Sequence, residues 1–279
     1  MTTGKVPDAS GTAAAPMLRR TKDLQTYTIR ARDGDVGMLH DFYFDDQSWT
    51  VRYLVVDTGR WLSGRRVLIP PRAIEAIDSA DQRLRARLTM RQIEDSPGVD
   101  TDKPVSRQHE IDVLRYYGFP YYWGGPYRWG PITSPAAALP PSYDAMAGRQ
   151  STEPAADPHL RSVRDVSGYG IQATDGELGH VEEFLVDEDT WAIRYLLVDP
   201  RSWWPGKHVL VPTEWITAVH WADRTVEVNV NKEAVRGAPA FDPAGSLDRG
   251  YEMRYWGYFG RPGYWERPPE AWTLHRPAA

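Results

Sequence analysis

The chain has 279 residues, 41% hydrophobic and 25% charged, with no cysteine. That length fits two domains with small cores, and the lack of cysteine excludes disulfide frameworks, thiolate metal sites and cysteine nucleophiles. A net charge of −5 and a pI near 5.8 argue against general nucleic-acid affinity, which needs a basic footprint.

Residues 1–16 are small and polar and are expected to be disordered. They lack the apolar core of a secretion signal, and no apolar run is long enough to span a bilayer, so a soluble, cytoplasmic protein is the expectation.

From Leu18 to Trp123 the chain is written a second time from Leu160 to Trp265. Every pair is 142 residues apart, the step from Asp33 to Asp175, and about 35 of the 106 pairs are identical. A period this long excludes a solenoid, whose units run roughly 20–50 residues. It implies two domain-sized copies, at 17–130 and 159–265, with residues 131–158 as a Pro/Ala linker and 266–279 as a tail. Residues kept in both copies are candidates for building the fold. Those that differ are where the copies can act differently. Residues 17–130 carry 18 Lys/Arg against 16 Asp/Glu, and residues 159–265 carry 11 against 16. Drift on solvated faces is the plain explanation of that asymmetry, and attraction between the copies or different partners the alternative.

Inside each copy the apolar period is two. Arg83-Leu84-Arg85-Ala86-Arg87-Leu88 and its twin Thr225–Val230 alternate strictly, as half-buried strands do. Val51–Val56 and Ile193–Val198 are β-branched apolar runs and predict central strands, with Val36–Phe44 and Leu178–Val186 before them. The turns at Asp45–Ser48 and Asp187–Thr190 carry tight-turn chemistry. Five or six short strands in about 70 residues predict a small antiparallel barrel in each copy. Short helices are expected after Thr89 and Asn231, and a longer one from a Ser106 cap through Arg107–Tyr117 to Gly118. The twin stretch Leu247–Gly260 contains Gly250 and Gly257 and predicts a weaker helix.

Asp33-Gly34 followed by Gly37, an apolar strand, Arg52-Tyr53-Leu54-Val55-Val56-Asp57, Trp61, Gly64 and Val67-Leu68-Ile69-Pro70 resemble the PRC-barrel family. That domain is shared by the cytoplasmic part of the photosynthetic reaction-centre H subunit and the C-terminal half of a ribosome maturation factor. The extension from Thr89, with Ser96-Pro97, Asp100 to Glu110, Tyr117-Gly118 and Tyr122-Trp123, resembles bacterial stand-alone members. The resemblance implies an all-β chain of two small antiparallel PRC-type barrels, each with a short helical, aromatic-rich C-terminal extension. It also implies binding or assembly roles, with peripheral association with a membrane complex as one alternative, although no counterpart of the H subunit's anchoring helix is expected, and RNA processing or ribosome assembly as a second.

No catalytic constellation is legible. None of the seven histidines forms an H-x-x-x-H or H-E-x-x-H pair, and His180, His208 and His220 have twins Met38, Arg66 and Asp78. No glycine pattern suits a phosphate cradle, so no cofactor or metal is expected and the chain is expected not to be an enzyme. Glu182, Glu183, Asp187, Glu188 and Asp189 predict a solvated acidic hairpin tip without the spacing of a calcium loop. Asp57 and Asp199 are expected to cap the following loops, with Arg52 and Arg194 facing outward. The candidate partner contacts are aromatic and arginine side chains, the residue types enriched in protein interfaces: Tyr121, Tyr122, Trp123, Tyr127, Trp129, Tyr258, Tyr264 and Trp265. The alternative is that these rings fold back over their own domain. Arg83, Arg85 and Arg87 form a basic row present in the first copy alone, for which a solvated strand face is the plain reading, docking on an acidic protein the next and RNA the third. An unidentified protein is the partner these features imply.

Overall fold

The computed structural model describes residues 17–100, 105–123, 129, 132, 134–137, 159–200, 204, 206–242, 245 and 247–266. The first copy contains β1 (Leu18–Arg20), α1 (Thr21–Leu24), β2 (Thr28–Arg30), β3 (Asp35–Asp45), β4 (Thr50–Asp57), β5 (Arg66–Ile69), β6 (Ile74–Asp78), β7 (Arg83–Ala86), α2 (Met90–Glu94) and α3 (Arg107–Tyr117). The second contains β8 (Leu160–Ser162), α4 (Val163–Val166), β9 (Gly170–Ala173), β10 (Gly176–Asp187), β11 (Ile193–Asp199), β12 (Val209–Pro212), β13 (Ile216–His220), β14 (Thr225–Val228), α5 (Lys232–Gly237) and α6 (Arg249–Tyr258). Short 3-10 turns follow β5, β12 and α6. No helix among the described residues is long and apolar enough to cross a membrane.

The fold is mostly β, in two sheets ordered β5-β4-β3-β2-β7-β6 and β12-β11-β10-β9-β14-β13. The sheets are mixed, not antiparallel as the strand spacing predicts: β2 runs parallel to β7 and β9 parallel to β14. Sequence alternation reports which residues share a face but carries no information on strand direction, hence the difference. Phe42, Phe44, Tyr53, Leu54 and their twins fill the interior with essentially no exposure, each such burial contributing roughly 1.5–3 kcal/mol.

The opening strands are exchanged. β1 leaves its own copy and pairs antiparallel with the end of β10, while β8 pairs with the end of β3. Leu18 faces Asp187 as Leu160 faces Asp45, so the registers are identical under the 142-residue offset. Between them Thr50 and Ala192, themselves twins, form an isolated bridge.

Local chemistry explains the repeated glycine and aspartate positions. A Cβ on Gly37 would lie 2.0 Å from the Asp57 carbonyl oxygen, and one on Gly179 2.3 Å from that of Asp199; only glycine lets these strands approach. Asp33 accepts a hydrogen bond from the Met90 amide (2.7 Å) and Asp175 one from Lys232 (2.8 Å), anchoring α2 and α5. Thr89 and Gln92 close a capping box, and α3 runs from a Ser106 cap to left-handed Gly118.

The second long helix is complete over ten residues despite its glycines. Asp248 caps it, and its buried face seats Tyr255 and Trp256 against Trp215, with ring centroids 5.9 and 5.6 Å away. Tertiary packing outweighs a propensity cost of about 1 kcal/mol per glycine.

Candidate functional site

Each copy encloses an arginine centre assembled from one set of twin residues. In the second copy Arg194 donates to Asp187 Oδ2 from Nε (3.1 Å) and Nη2 (2.7 Å), with Thr190 Oγ1 at 3.3 Å. Its guanidinium lies 4.0 Å from the centre of the Tyr264 ring. In the first copy Arg52 lies 3.9 Å from the Tyr122 ring, donates to Ser48 Oγ (2.9 Å), and stands 4.0 Å from Asp45. Both arginines are buried, at 3% and 8% exposure, so they do not face outward as the sequence suggests. The surrounding strand reads as a continuous apolar run with one arginine, and nothing in one strand's sequence reveals that an extension 70 residues later will cover it.

A second ring of twins ties that extension down. Arg107 on α3 donates to the Tyr122 hydroxyl (3.0 Å), pairs with Glu110 (3.1 Å), and stacks 4.0 Å from Trp123. On α6, Arg249 pairs with Glu252 (2.9 Å) and stacks 4.0 Å from Trp265. Tyr122 donates to Glu110 Oε2 at 2.6 Å and its twin Tyr264 to Glu252 Oε2 at 3.4 Å, while Tyr195 donates to Glu252 Oε1 at 2.8 Å. Burial raises the Glu252 carboxyl, with the Tyr195 hydrogen bond and Arg249 working against it. At Asp187 burial also acts upward, but Arg194 and the turn's hydrogen bonds outweigh it and hold the carboxyl below its ordinary value. These groups are immobilised in pairs, a staple between helix and sheet.

Of the five acids in the hairpin only Asp189 is exposed to solvent as expected, with Glu182 and Glu188 half-buried. Asp187 is 1% and Glu183 3% exposed. Arg19 reaches Glu188 at 3.0 Å, Lys22 reaches Glu182 at 3.1 Å, and Arg20 lies 3.8 Å from Glu183. The acids receive the basic opening arm of the other copy. At the reciprocal place Arg161 pairs with Asp46 (2.9 Å), which also bonds His159 Nδ1 (2.8 Å). A β-bulge at His40, between the Leu39 and Asp41 pairings, turns Asp41 inward. There it accepts from Ser162 Oγ and the Arg164 amide. Burial pushes its carboxyl up to about 6, partly offset by those hydrogen bonds.

The remaining candidates divide clearly. Tyr121, Tyr122, Trp129 and Tyr264 are buried, and Trp123 and Trp265 half-buried, so most of the aromatic segment covers its own sheet. Trp129 lies 4.9 Å from Arg52 by its ring and donates to the Thr190 carbonyl (3.0 Å), linking the centres of the two copies. Tyr258 is 48% exposed, and its twin Tyr116 40%. Tyr127 lies outside the described residues. In the basic row, Arg83 pairs with Asp35 (3.6 Å) and Asp81 (3.8 Å), while Arg85 and Arg87 are exposed. Asp57 accepts from the Gly59 amide (2.8 Å), as a loop cap does.

Among the described residues no group of three or more histidine or acidic side chains is placed to hold a metal ion. His180, His208 and His220 pair separately with Glu177, Glu182 and Glu227. The arginine centres are announced in the sequence only by the recurrence of Arg52, Tyr53, Arg107, Glu110, Tyr122 and Trp123 at the 142-residue step.

The family model for the PRC-barrel domain matches residues 18–89 and 158–235, more than half of the chain. No curated protein matches it. The matched segments are the two sheets together with their opening arms, and the chain belongs to the PRC-barrel family, with the domain present twice.

Proposed function

We propose that the protein is a non-enzymatic binding or scaffold module acting on other proteins, each sheet forming one small barrel of the family type. One observation carries this reading: several polar groups that the copies share turn inward, while the rows in which they differ turn outward. Arg52, Glu110 and their twins are buried. Arg85 and Arg87 are exposed where the second copy exposes Glu227 and Asn229. Groups spent on holding helix to sheet are not available for chemistry, whereas two unlike surfaces in one body suit the joining of unlike partners. The first copy's row fits an acidic protein face.

Photo-crosslinking side chains placed at Arg87 and at Asn229, in cells, test the proposal. The expected result is a protein adduct at position 87 that is lost when Arg85 is replaced by Glu. Absence of any protein adduct above a probe-free control at both positions sinks the scaffold reading. An adduct destroyed by ribonuclease supports the ribosome-assembly role instead. Recovery only with membrane complexes supports the peripheral role implied by the reaction-centre resemblance.

A further inference from the structure

We infer that the PRC-type module of this chain is a self-recognition unit whose partner is a second copy of the module, and that the two copies hold each other through their arms without needing the covalent linker. The contacts between copies come in reciprocal pairs. Arg19–Glu188 (3.0 Å) maps onto Arg161–Asp46 (2.9 Å) under the 142-residue offset. The amide of Glu188 donates to the Met17 carbonyl (3.1 Å) as that of Asp46 donates to His159 (2.9 Å). The amide of Val51 donates to the Trp191 carbonyl (2.9 Å) and that of Ile193 to Trp49 (2.7 Å). A surface on which residue i meets j and the twin of j meets the twin of i is isologous, the geometry of a closed two-fold dimer.

Two further observations show that this surface is built for recognition. Trp49 and Trp191 sit in the left-handed region, at φ 49° and 57°, which bulky side chains rarely adopt. In both, that conformation ends the hairpin turn at the residue whose carbonyl crosses to the other copy, so the turn itself aims the crossing acceptor. The charges are also sorted. Both arms are net basic, with Arg19, Arg20 and Lys22 against Asp23 in one and Arg161 and Arg164 against Asp165 in the other. Both receiving strands are acidic, presenting Glu182, Glu183 and Glu188, or Asp41 and Asp46. A basic arm repels another arm and is drawn to the receiving strand, which sets the pairing as an exchange.

The test cuts the chain after it has folded. A site-specific protease sequence inserted between Ala147 and Gly148 is cleaved under native conditions, and the product is followed by gel filtration and native mass spectrometry. Co-elution of both fragments at the mass of the uncut chain, down to about 1 µM, is expected for a stable specific association. Separation or precipitation of the fragments overturns the inference. In the second arm of the experiment, Arg19→Glu with Arg161→Glu is expected to weaken association at least ~10-fold. Adding Glu188→Arg and Asp46→Arg to the same chain is expected to restore it. Weakening that this reversal does not restore overturns the assignment of recognition to the arms. No outside protein enters these measurements, so their outcome is independent of the scaffold proposal.

Discussion

Arg194 donates two hydrogen bonds to a single oxygen of Asp187, whereas the twin Arg52 stands 4.0 Å from Asp45 and bonds Ser48 instead. One sequence pattern thus gives a tight ion pair in one copy and a loose one in the other, each arginine stacked on its tyrosine. Removing a partner from a buried pair leaves an uncompensated charge, at a cost of about 3–5 kcal/mol. Arg194→Met is therefore expected to destabilise the protein by about that much. Arg52→Met is expected to cost about 2 kcal/mol, mainly the lost stacking and one hydrogen bond. Urea unfolding of both variants checks the order, and a larger loss for Arg52→Met would contradict it.

Asp41 gives a pH signature. Its carboxyl is raised to about 6 in the folded protein, against roughly 3.9 for an unperturbed aspartate. Between those values the folded state holds the proton more tightly. The contribution of this group to stability is therefore fully present below about pH 4, falls as pH rises to about 6, and is level above that. Across the window the difference is expected to be at most about 3 kcal/mol. Stability curves of the wild type and Asp41→Asn should converge or diverge in that window by this difference; parallel curves would show that Asp41 is not perturbed.

Gly37 and Gly64 separate two reasons for glycine. A Cβ on Gly37 would meet backbone at 2.0 Å, which cannot move aside, while Gly64 has φ 77° and a Cβ there would meet open space. Gly37→Ala is expected to cost about 3 kcal/mol or more through overpacking. Gly64→Ala is expected to cost about 1 kcal/mol, the strain of a left-handed alanine. Thermal midpoints rank the two, and equal losses would remove the strand-approach explanation.

Trp129 joins the copies at a second place. Trp129→Ala is expected to cost about 3–5 kcal/mol by deleting a 5%-exposed ring. Trp129→Phe keeps a ring near Arg52 but loses the donor to Thr190, at about 1 kcal/mol. Denaturant titration distinguishes them; similar small losses in both would mean that the indole packs loosely.

Much of the fold was legible in one dimension. The alternation in Arg83–Leu88, the apolar runs at Val51–Val56 and Ile193–Val198, and the Ser106 and Gly118 signals all encode local geometry, and local geometry depends on neighbours in the chain. The candidate site was legible only as residue types. Tyr122 and Tyr264 were visible as ring-bearing candidates, but whether they cover a sheet or meet a partner depends on where the extension lands.

By itself, then, the amino-acid order determined the duplication, the strand faces, the helix caps and the family, because each rests on spacing along the chain. Tertiary structure alone decided that Arg52 and Arg194 turn inward, that the acidic hairpin receives a basic arm, and that Leu18–Arg20 and Leu160–Ser162 pair away from home. A three-residue strand has too little periodicity to announce itself. Its partner lies well over a hundred residues away, and only the part-exposed ion pairs and ladder hydrogen bonds at that distance select it.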